Sequence, residues 1–369
     1  MNGSNPRKER GIEIANKNQL RRIDEHTYKV KSQSSDKEYS VISSESGWNC
    51  SCPDHTFRKI CCKHIHAVEF SLEIRKQVES VVINQIDANY CKFCKSIDII
   101  KKRLRKNQNY SLQVYQCRLC KKKFSINLGF ERMKASPQVI TSAMQLYFTG
   151  ESLRNVQKFL ELQGVKITHK TVWNWIRKYV NLMEKYLEQM TPKVGEQWRA
   201  DELYLKVKGN RKYLYALMDD DTRYWIAKQV SDNKVVDDIS QMLDDGKKIA
   251  GKKPSVFITD GANNFVTAWR SEYRQKNSFD KKTEHIRHIH FKEDNNNNKM
   301  ERLNGEIRDR EKVMRSLKKV DSPILSGIQI HHNFIRSHMG LNGKTPSEMA
   351  GIKIEGNNKW LTLIQNASI

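Results

Sequence analysis

The stretch WRADELYLKVKG, residues 198–209, sets the reading of the whole chain. Its side chains alternate, so Asp201, Leu203, Leu205 and Val207 share one face of an extended strand. A carboxylate on an apolar face is costly unless it is paired or bound to a cation. KYLYALMD (212–219) and YWIAKQVS (224–231) read as two further strands joined by the turn residues Asp219–Thr222. Residues 234–249 have the spacing of an amphipathic helix, through Val235, Val236, Ile239, Met242 and Leu243. SVFITDG (255–261) is a buried strand ending in Asp260, followed by a helix around Phe265–Tyr273 and a short strand His285–Phe291. An Asn-rich run, Asn295–Asn298, then leads into a long helix from Lys299 to Lys319. Strands interleaved with helices in this way predict an α/β core.

Asp201 in mid-strand, Asp260 at a strand end and Glu301 at a helix start are the acids that this order singles out. Oxygen-only ligands suit Mg²⁺ or Mn²⁺. Two such ions about 3.5–4 Å apart can activate an attacking oxygen and stabilise a leaving one in phosphoryl transfer. The competing acids have plainer readings. Asp219, Asp220 and Asp221 form a hairpin turn, and Glu202 points to the face opposite Asp201. Asp237, Asp238, Asp244 and Asp245 are a solvated helix face, and Glu306 lies off the Glu301 face. Glu293 or Asp294 could replace Glu301 only if the helix began earlier.

Outward toward the N-terminus the chemistry changes. The 369 residues carry 66 Lys+Arg against 42 Asp+Glu, a formal charge of +24. Residues 91–140 hold 13 Lys/Arg against Asp98 and Glu131, a net of +11, while residues 191–270 are near neutral. Such an excess points to a polyphosphate partner. Hydrophobic residues are only 38%, no apolar run approaches the ~18 residues of a spanning helix, and the first residues lack the apolar stretch of a signal peptide. A soluble cytoplasmic protein with no membrane partner is expected, and residues 1–25 read as a mobile arm.

All eight cysteines lie between Cys50 and Cys120. Without an oxidising compartment, close pairs read as metal ligands rather than disulfides. Cys50-x-Cys52 followed by Cys62-x-His64 offers four N/S ligands suited to tetrahedral zinc, with Cys61, His66 and His55 as spare candidates. Short strands near Tyr28–Val30 and Tyr39–Ile42 precede this block, and Ile65, Val68 and Leu72 give a helix after it. Cys91-x-x-Cys94 and Cys117-x-x-Cys120 form a second, closed set of four thiolates, a zinc ribbon pattern; so small a module needs the metal to fold. Between the knuckles, KKRLRK (101–106) precedes a strand-like run Tyr110–Tyr115.

Residues 136–180 read as three helices. Ser136-Pro137 opens the first, Ser152 the second after the break at Gly150, and Thr168 the third after Gly164. The last carries Lys170, Thr171, Asn174, Arg177 and Lys178 beside the apolar Val172, Trp173, Ile176 and Val180, which fits a helix-turn-helix DNA reader.

Two resemblances follow from these residues. WNCSCPDHTFRKICCKHIHAVEFSLEI (48–74) resembles a SWIM zinc finger over roughly residues 26–75, a module associated with DNA or protein binding. W-x-A-D-E-x-Y-x-K-V-K-G, the D-x-D segment at Asp219–Asp221, ITDG (258–261), NKMERLNGEIRDREKVMRSLKK (298–319) and HHNFIRSHMGLNGKTPSEMAGI (331–352) together resemble a prokaryotic insertion-sequence transposase of the DDE type. That resemblance spans about residues 136–352. It implies an RNase H-like core with Asp201, Asp260 and Glu301 as the metal-binding catalytic triad. Arg308 matches a basic position of the family, two helical turns after Glu301, and Arg315 would continue that face. The forty residues between Asp260 and Glu301 exceed the usual family spacing, and the Asn run accommodates the excess.

The expected organisation is multidomain α/β: a mobile arm (1–25), a SWIM-type zinc finger (26–80), a zinc ribbon (81–130), a helix-turn-helix-like region (131–190), an RNase H-like catalytic core (191–320) and a C-terminal tail (321–369). The expected function is metal-dependent cleavage at element ends and strand transfer by the freed 3′-hydroxyl. Double-stranded DNA is the partner, both terminal inverted repeats and target. About two structural Zn²⁺ would sit in the front modules, with Mg²⁺ or Mn²⁺ at the core, in a homodimer or larger assembly associated with the nucleoid. The competing readings are a domesticated or inactive copy acting as a zinc-dependent DNA-binding regulator, and a nuclease without strand transfer.

Overall fold

The computed structural model describes residues 6–16, 20–23, 26–33, 35, 37–44, 47–76, 81–84, 90–106, 111–274, 282–287, 298–314, 317, 319 and 322–369. The chain divides into two compact units, one holding the residues up to Glu79 and the other Ser80–Arg287 with Asn298–Ile369.

In the first unit, helix α1 (Pro6–Asn16) precedes strands β1 (Leu20–Arg22), β2 (Thr27–Lys31), β3 (Glu38–Ser44) and β4 (Gly47–Cys50), then helices α2 (Pro53–Arg58) and α3 (Lys63–Lys76). The four strands form one antiparallel sheet in sequence order. The leading residues, expected as a mobile arm, contain α1. Ile14 is fully buried with Val30, Val41, Cys50, Cys62 and Val68, and Arg7 Nε donates to Asp54 Oδ2 at 2.9 Å. One apolar side chain and one ion pair therefore give this polar stretch a docked place that its composition did not suggest.

The second unit opens with β5 (Val81–Ile83) and the ribbon strands β6 (Ile99–Lys106), β7 (Ser111–Cys117) and β8 (Lys123–Phe124). KKRLRK is thus itself a strand rather than the lead-in to one. It pairs antiparallel with β7 and takes a register shift between Lys101 and Arg103, its consecutive cations all exposed. Tyr110 lies outside the described residues. Helices α4 (Pro137–Thr149), α5 (Leu153–Leu162) and α6 (His169–Leu187) follow. Their expected caps are in place: Ser136, Ser152 and Thr168 each accept a hydrogen bond from the backbone N–H three residues on. Val172, Ile176, Tyr179 and Val180 of α6 are buried, whereas Lys170, Asn174, Arg177 and Lys178 are exposed.

The central segment comprises β9 (Gln197–Val207), β10 (Asn210–Asp219), β11 (Trp225–Ser231), α7 (Val236–Ala250), β12 (Val256–Thr259), α8 (Asn263–Glu272), β13 (Glu284–Arg287) and α9 (Asn298–Met314). The five strands lie in the order β11-β10-β9-β12-β13. β9, β10 and β11 are antiparallel neighbours, and β12 and β13 run parallel to β9. This is the mixed sheet of the expected RNase H-like core. Antiparallel neighbours need only short turns, whereas the parallel β12 requires the α7 crossover.

The last elements are α10 (Pro323–Ile330), α11 (Pro346–Met349), β14 (Ile352–Ile354) and α12 (Lys359–Asn366). They are structurally integral rather than a trailing tail. Trp360 stacks on Phe148 of α4 at 5.5 Å and its Nε1 donates to Gln145 Oε1 at 2.7 Å, while β14 pairs with β5. Asn333, in a π-helical turn at His331–Ile335, accepts from Trp225 N at 2.8 Å and donates to Trp225 O at 3.0 Å on the edge strand β11. No helix among the described residues is long and apolar enough to cross a membrane.

Candidate active site and metal-ligating clusters

Register places the first two acids. β12 pairs with β9 at Ile258↔Arg199, and two residues further along both strands lie Asp260 and Asp201. Adjacent parallel strands are about 4.8 Å apart, so the two carboxyl groups are neighbours on one side of the sheet. Gly261, with φ +90°, turns the chain immediately after Asp260, whose Oδ1 accepts from Ala262 N at 3.0 Å. Burial pushes the Asp201 carboxyl up to about 6; the Asp260 charge adds to the shift, while the Glu202 N–H at 2.8 Å opposes it.

Helix α9 reaches the first member of this pair. Asn304 Nδ2 donates to Asp201 Oδ2 at 2.8 Å, and Asn304 is itself buried. Glu301 is one turn N-terminal to Asn304, and Arg308 one turn beyond it, so all three lie along one stripe of the helix. Glu301, Asp260 and Arg308 are exposed. The three acids do not bring their ligand oxygens within 4.8 Å of one another, so the structure joins Asp201 to Asp260 and to Asn304 more closely than to Glu301. Arg315, Glu293 and Asp294 lie outside the described residues.

The donor set nevertheless fits a divalent cation. Two carboxyl groups share the end of the sheet, one desolvated, and Asn304 Oδ1 is buried without a hydrogen-bond partner. A cation would satisfy the charge that burial disfavours.

Three further contacts fix α9, and the sequence reading missed all of them. Lys299 Nζ bonds Asp220 Oδ2 at 3.0 Å and Asp220 O at 2.9 Å, and Asp220 also pairs with the buried Arg199. Asp220 is therefore a turn acid, as expected, but a buried and paired one. It is held below the usual carboxylate range against its burial by Lys299 and Arg199. Next, Glu306 accepts from His332 Nδ1 at 3.0 Å and pairs with Arg336 at 2.6 Å, tying the helix to the 331–352 motif. Third, Arg310 is buried over the Tyr147 ring at 3.9 Å and donates to Glu151 O at 2.9 Å. The available signal was charge inside an otherwise apolar helix stripe, next to Leu303 and Ile307. On the opposite side from Asp201, α9 also closes a pocket of about 150 Å³ with Arg223, His332 and His338.

Among the described residues, three groups of candidate ligands bring their atoms within 4.8 Å of one another. Cys50, Cys52, Cys62 and His64 form the first, all buried. His64 Nδ1 is 3.9 Å from both Cys50 Sγ and Cys62 Sγ, and its ring lies 4.9 Å from that of Tyr39. Hydrogen bonds with Cys50 and His64 pull the Cys62 thiol down. His55 is used in its own loop, with Nδ1 at 2.8 Å from Ile60 O. Cys91, Cys94, Cys117 and Cys120 form the second, with Sγ separations of 3.6 Å (Cys91–Cys120) and 3.5 Å (Cys94–Cys117). These match the roughly 3.8 Å edge of a tetrahedron with 2.3 Å Zn–S bonds. Both knuckles end in a left-handed lysine, Lys95 and Lys121, which turns the backbone so that N–H groups face the sulfurs: Phe93 N and Cys120 N lie 3.4 Å from Cys91 Sγ and Cys117 Sγ. The third group is Cys61, His66 and Glu69.

Two stretches of the chain match known families. Residues 195–338 match a family described as a DDE domain, and residues 35–73 match the SWIM zinc finger. A transposase of an IS431mec-like insertion element from Staphylococcus aureus is 30% identical over 137 residues, which are 36% of this chain and 59% of that protein. The chain thus spans somewhat over half the length of that relative. An uncharacterised 48.3 kDa protein of insertion element ISM1 from Methanobrevibacter smithii is 29% identical over 147 residues, 36% of each chain. Among solved structures, the catalytic core domain of HTLV-2 integrase in complex with magnesium covers 44% of this chain and 98% of its own, with 19% identity and a TM-score of 0.31. Residues 195–338 of this chain are accordingly similar to the DDE domain of insertion-sequence transposases, and residues 35–73 to a SWIM zinc finger.

Proposed function

We propose that this chain is a DNA transposase that binds the ends of an insertion sequence, cleaves a strand there and joins the freed 3′-hydroxyl to target DNA. The observation that carries this reading is the proximity of Asp201 and Asp260 on adjacent parallel strands, with the helix that carries Glu301 bonded to Asp201 through Asn304. Asp201, Asp260 and Glu301 would hold Mg²⁺ or Mn²⁺. When bound, the metal supplies activation of the attacking oxygen and stabilisation of the leaving one. Asn304 orients the Asp201 carboxylate, and Lys299 fixes the turn of α9 on which Glu301 stands. Arg308, exposed two turns beyond Glu301, is placed to meet a backbone phosphate. Exposed cations on β6 and α6 supply a sequence-independent grip that weakens with salt.

The two Cys-rich groups would hold structural Zn²⁺, Cys50, Cys52, Cys62 and His64 in one and Cys91, Cys94, Cys117 and Cys120 in the other. Joining two element ends calls for a dimer or larger assembly acting on chromosomal DNA in the cytoplasm.

The test is product analysis with the purified full chain, Mg²⁺ and labelled DNA carrying the element's terminal repeats. Wild type yields nicked ends and joined products, and D201N yields neither while still binding the ends. Retained cleavage by D201N rejects the triad. Binding without cleavage by wild type identifies a DNA-binding regulator instead, and cleavage without joining identifies a nuclease.

A further inference from the structure

The start of α3 serves two clusters at once. Cys61 and Cys62 are adjacent, yet Cys62 is buried in the first group and Cys61 is exposed. His64 and His66 are two residues apart on the helix, about 200° of rotation, so they leave it on opposite sides. His66 and Glu69, three apart, share a side. The residues that look redundant in sequence therefore separate into two sets.

We propose that Cys61, His66 and Glu69 form a third metal site, which takes Zn²⁺ or a similar thiophilic divalent ion and leaves one coordination position open. His66 Nδ1 lies 3.6 Å from Cys61 Sγ and 3.1 Å from Glu69 Oε2, and Cys61 Sγ is 4.0 Å from the same oxygen. A tetrahedral ion with Zn–S near 2.3 Å and Zn–N and Zn–O near 2.0–2.1 Å requires edges of about 3.3–3.6 Å between such atoms. Two edges already lie within a few tenths of an ångström of that range, and the third closes by a small rotation of the exposed Glu69 side chain. A thiolate–imidazole–carboxylate set disfavours Mg²⁺ and Ca²⁺ and suits zinc.

The site is also braced from outside. Gly11 of α1 packs so closely that a Cβ there would lie 2.7 Å from His66 Cβ and 2.9 Å from Lys63 O. Arg7 of the same helix holds Asp54. The helix therefore fixes the backbone of the central ligand, whereas Cys61 and Glu69 face solvent. Three protein ligands and an accessible fourth position describe an exchangeable site, unlike the closed four-ligand groups. The plainer alternative is a surface His66–Glu69 ion pair with Cys61 as a bystander.

The experiment is zinc stoichiometry on the full chain after gel filtration, with C61S and E69Q as variants; both positions are exposed, so the fold tolerates them. The wild type binds about three equivalents and each variant about two. Brief chelation removes one equivalent first, and iodoacetamide then labels Cys61 several-fold faster than before chelation. About two equivalents in the wild type, or an unchanged count in both variants, overturns the third site and leaves the ion pair.

Discussion

Asn304 Nδ2 reaches Asp201 Oδ2 at 2.8 Å, so the helix that delivers Glu301 docks on the sheet through one of the acids it serves. The bond joins residues 103 positions apart in sequence. It sets both the height of α9 above β9 and the orientation of a desolvated carboxyl group. Removing it leaves a buried acceptor with one partner fewer. N304A is expected to lose about 1–3 kcal/mol of stability and to bind Mn²⁺ more weakly than wild type, as read by urea denaturation and by isothermal titration. Unchanged Mn²⁺ affinity in a folded N304A would detach Asn304 from the site.

Asp220 is the hub between Arg199 and Lys299. Truncating one member of a buried charge cluster leaves the others uncompensated, at a cost of about 3–5 kcal/mol. D220A should show that loss in its urea midpoint. K299M, with a half-exposed partner removed, should lose less stability but retain little strand cleavage, because the first turn of α9 is released. If cleavage by K299M matches wild type, the clamp does not position Glu301.

Gly327 in α10 faces Phe148 with no room to spare: an added Cβ would lie 2.2 Å from Phe148 Cζ and 3.0 Å from Val180 Cγ2. Phe148 cannot move away, since it also stacks on Trp360. G327A should therefore destabilise the second unit by about 1–3 kcal/mol through overpacking. Thermal unfolding that matches wild type would show that α10 is free to shift.

His331 lies beside the stacked Phe148 and Trp360, at centroid distances of 6.3 Å and 6.2 Å, and burial pushes its imidazole down to about 4. In the unfolded chain the same ring titrates near 6.5. Between these values the unfolded state binds the proton and the folded state does not. Stability is therefore intact above about pH 6.5 and declines as pH falls toward 4, by up to about 3 kcal/mol from this residue. H331F should flatten that part of the stability profile while leaving the residual slope from His285 and His338, which burial lowers similarly. An identical profile in H331F would remove His331 from the acid limb.

The sequence was most legible where one short range fixes the outcome. Alternation in β9 identified the face of Asp201, and Ser136, Ser152 and Thr168 marked helix starts because capping depends on residues only three apart. CxxC, CxC and CxH spacings picked out, for the same reason, the seven thiols and one imidazole that the fold gathers into two clusters. Illegible were contacts whose partners are a hundred or more residues distant: Asn304 with Asp201, Arg310 with Glu151, Asn333 with Trp225. The turn reading of Asp219–Asp221 had the right local geometry but the wrong environment. Asp219 and Asp220 are buried, Asp220 against Lys299 of α9, which no local pattern reports. Likewise, more than half of α1 is polar, and the buried Gly11 and Ile14, together with the Arg7–Asp54 pair, hold it in place.

Asn333 has a consequence of another kind. Its amide offers Trp225 one donor and one acceptor, as the backbone of a further strand would, and Gln329 Nε2 adds a bond to Trp225 O at 2.9 Å. Strand β11 is the outer member of a sheet that ends there. An open margin of this sort would template pairing with any extended chain that meets it. Asn333 and Gln329 therefore act as a selvedge at Trp225, finishing the border there so that an extended chain meeting that side finds these hydrogen-bonding groups already taken.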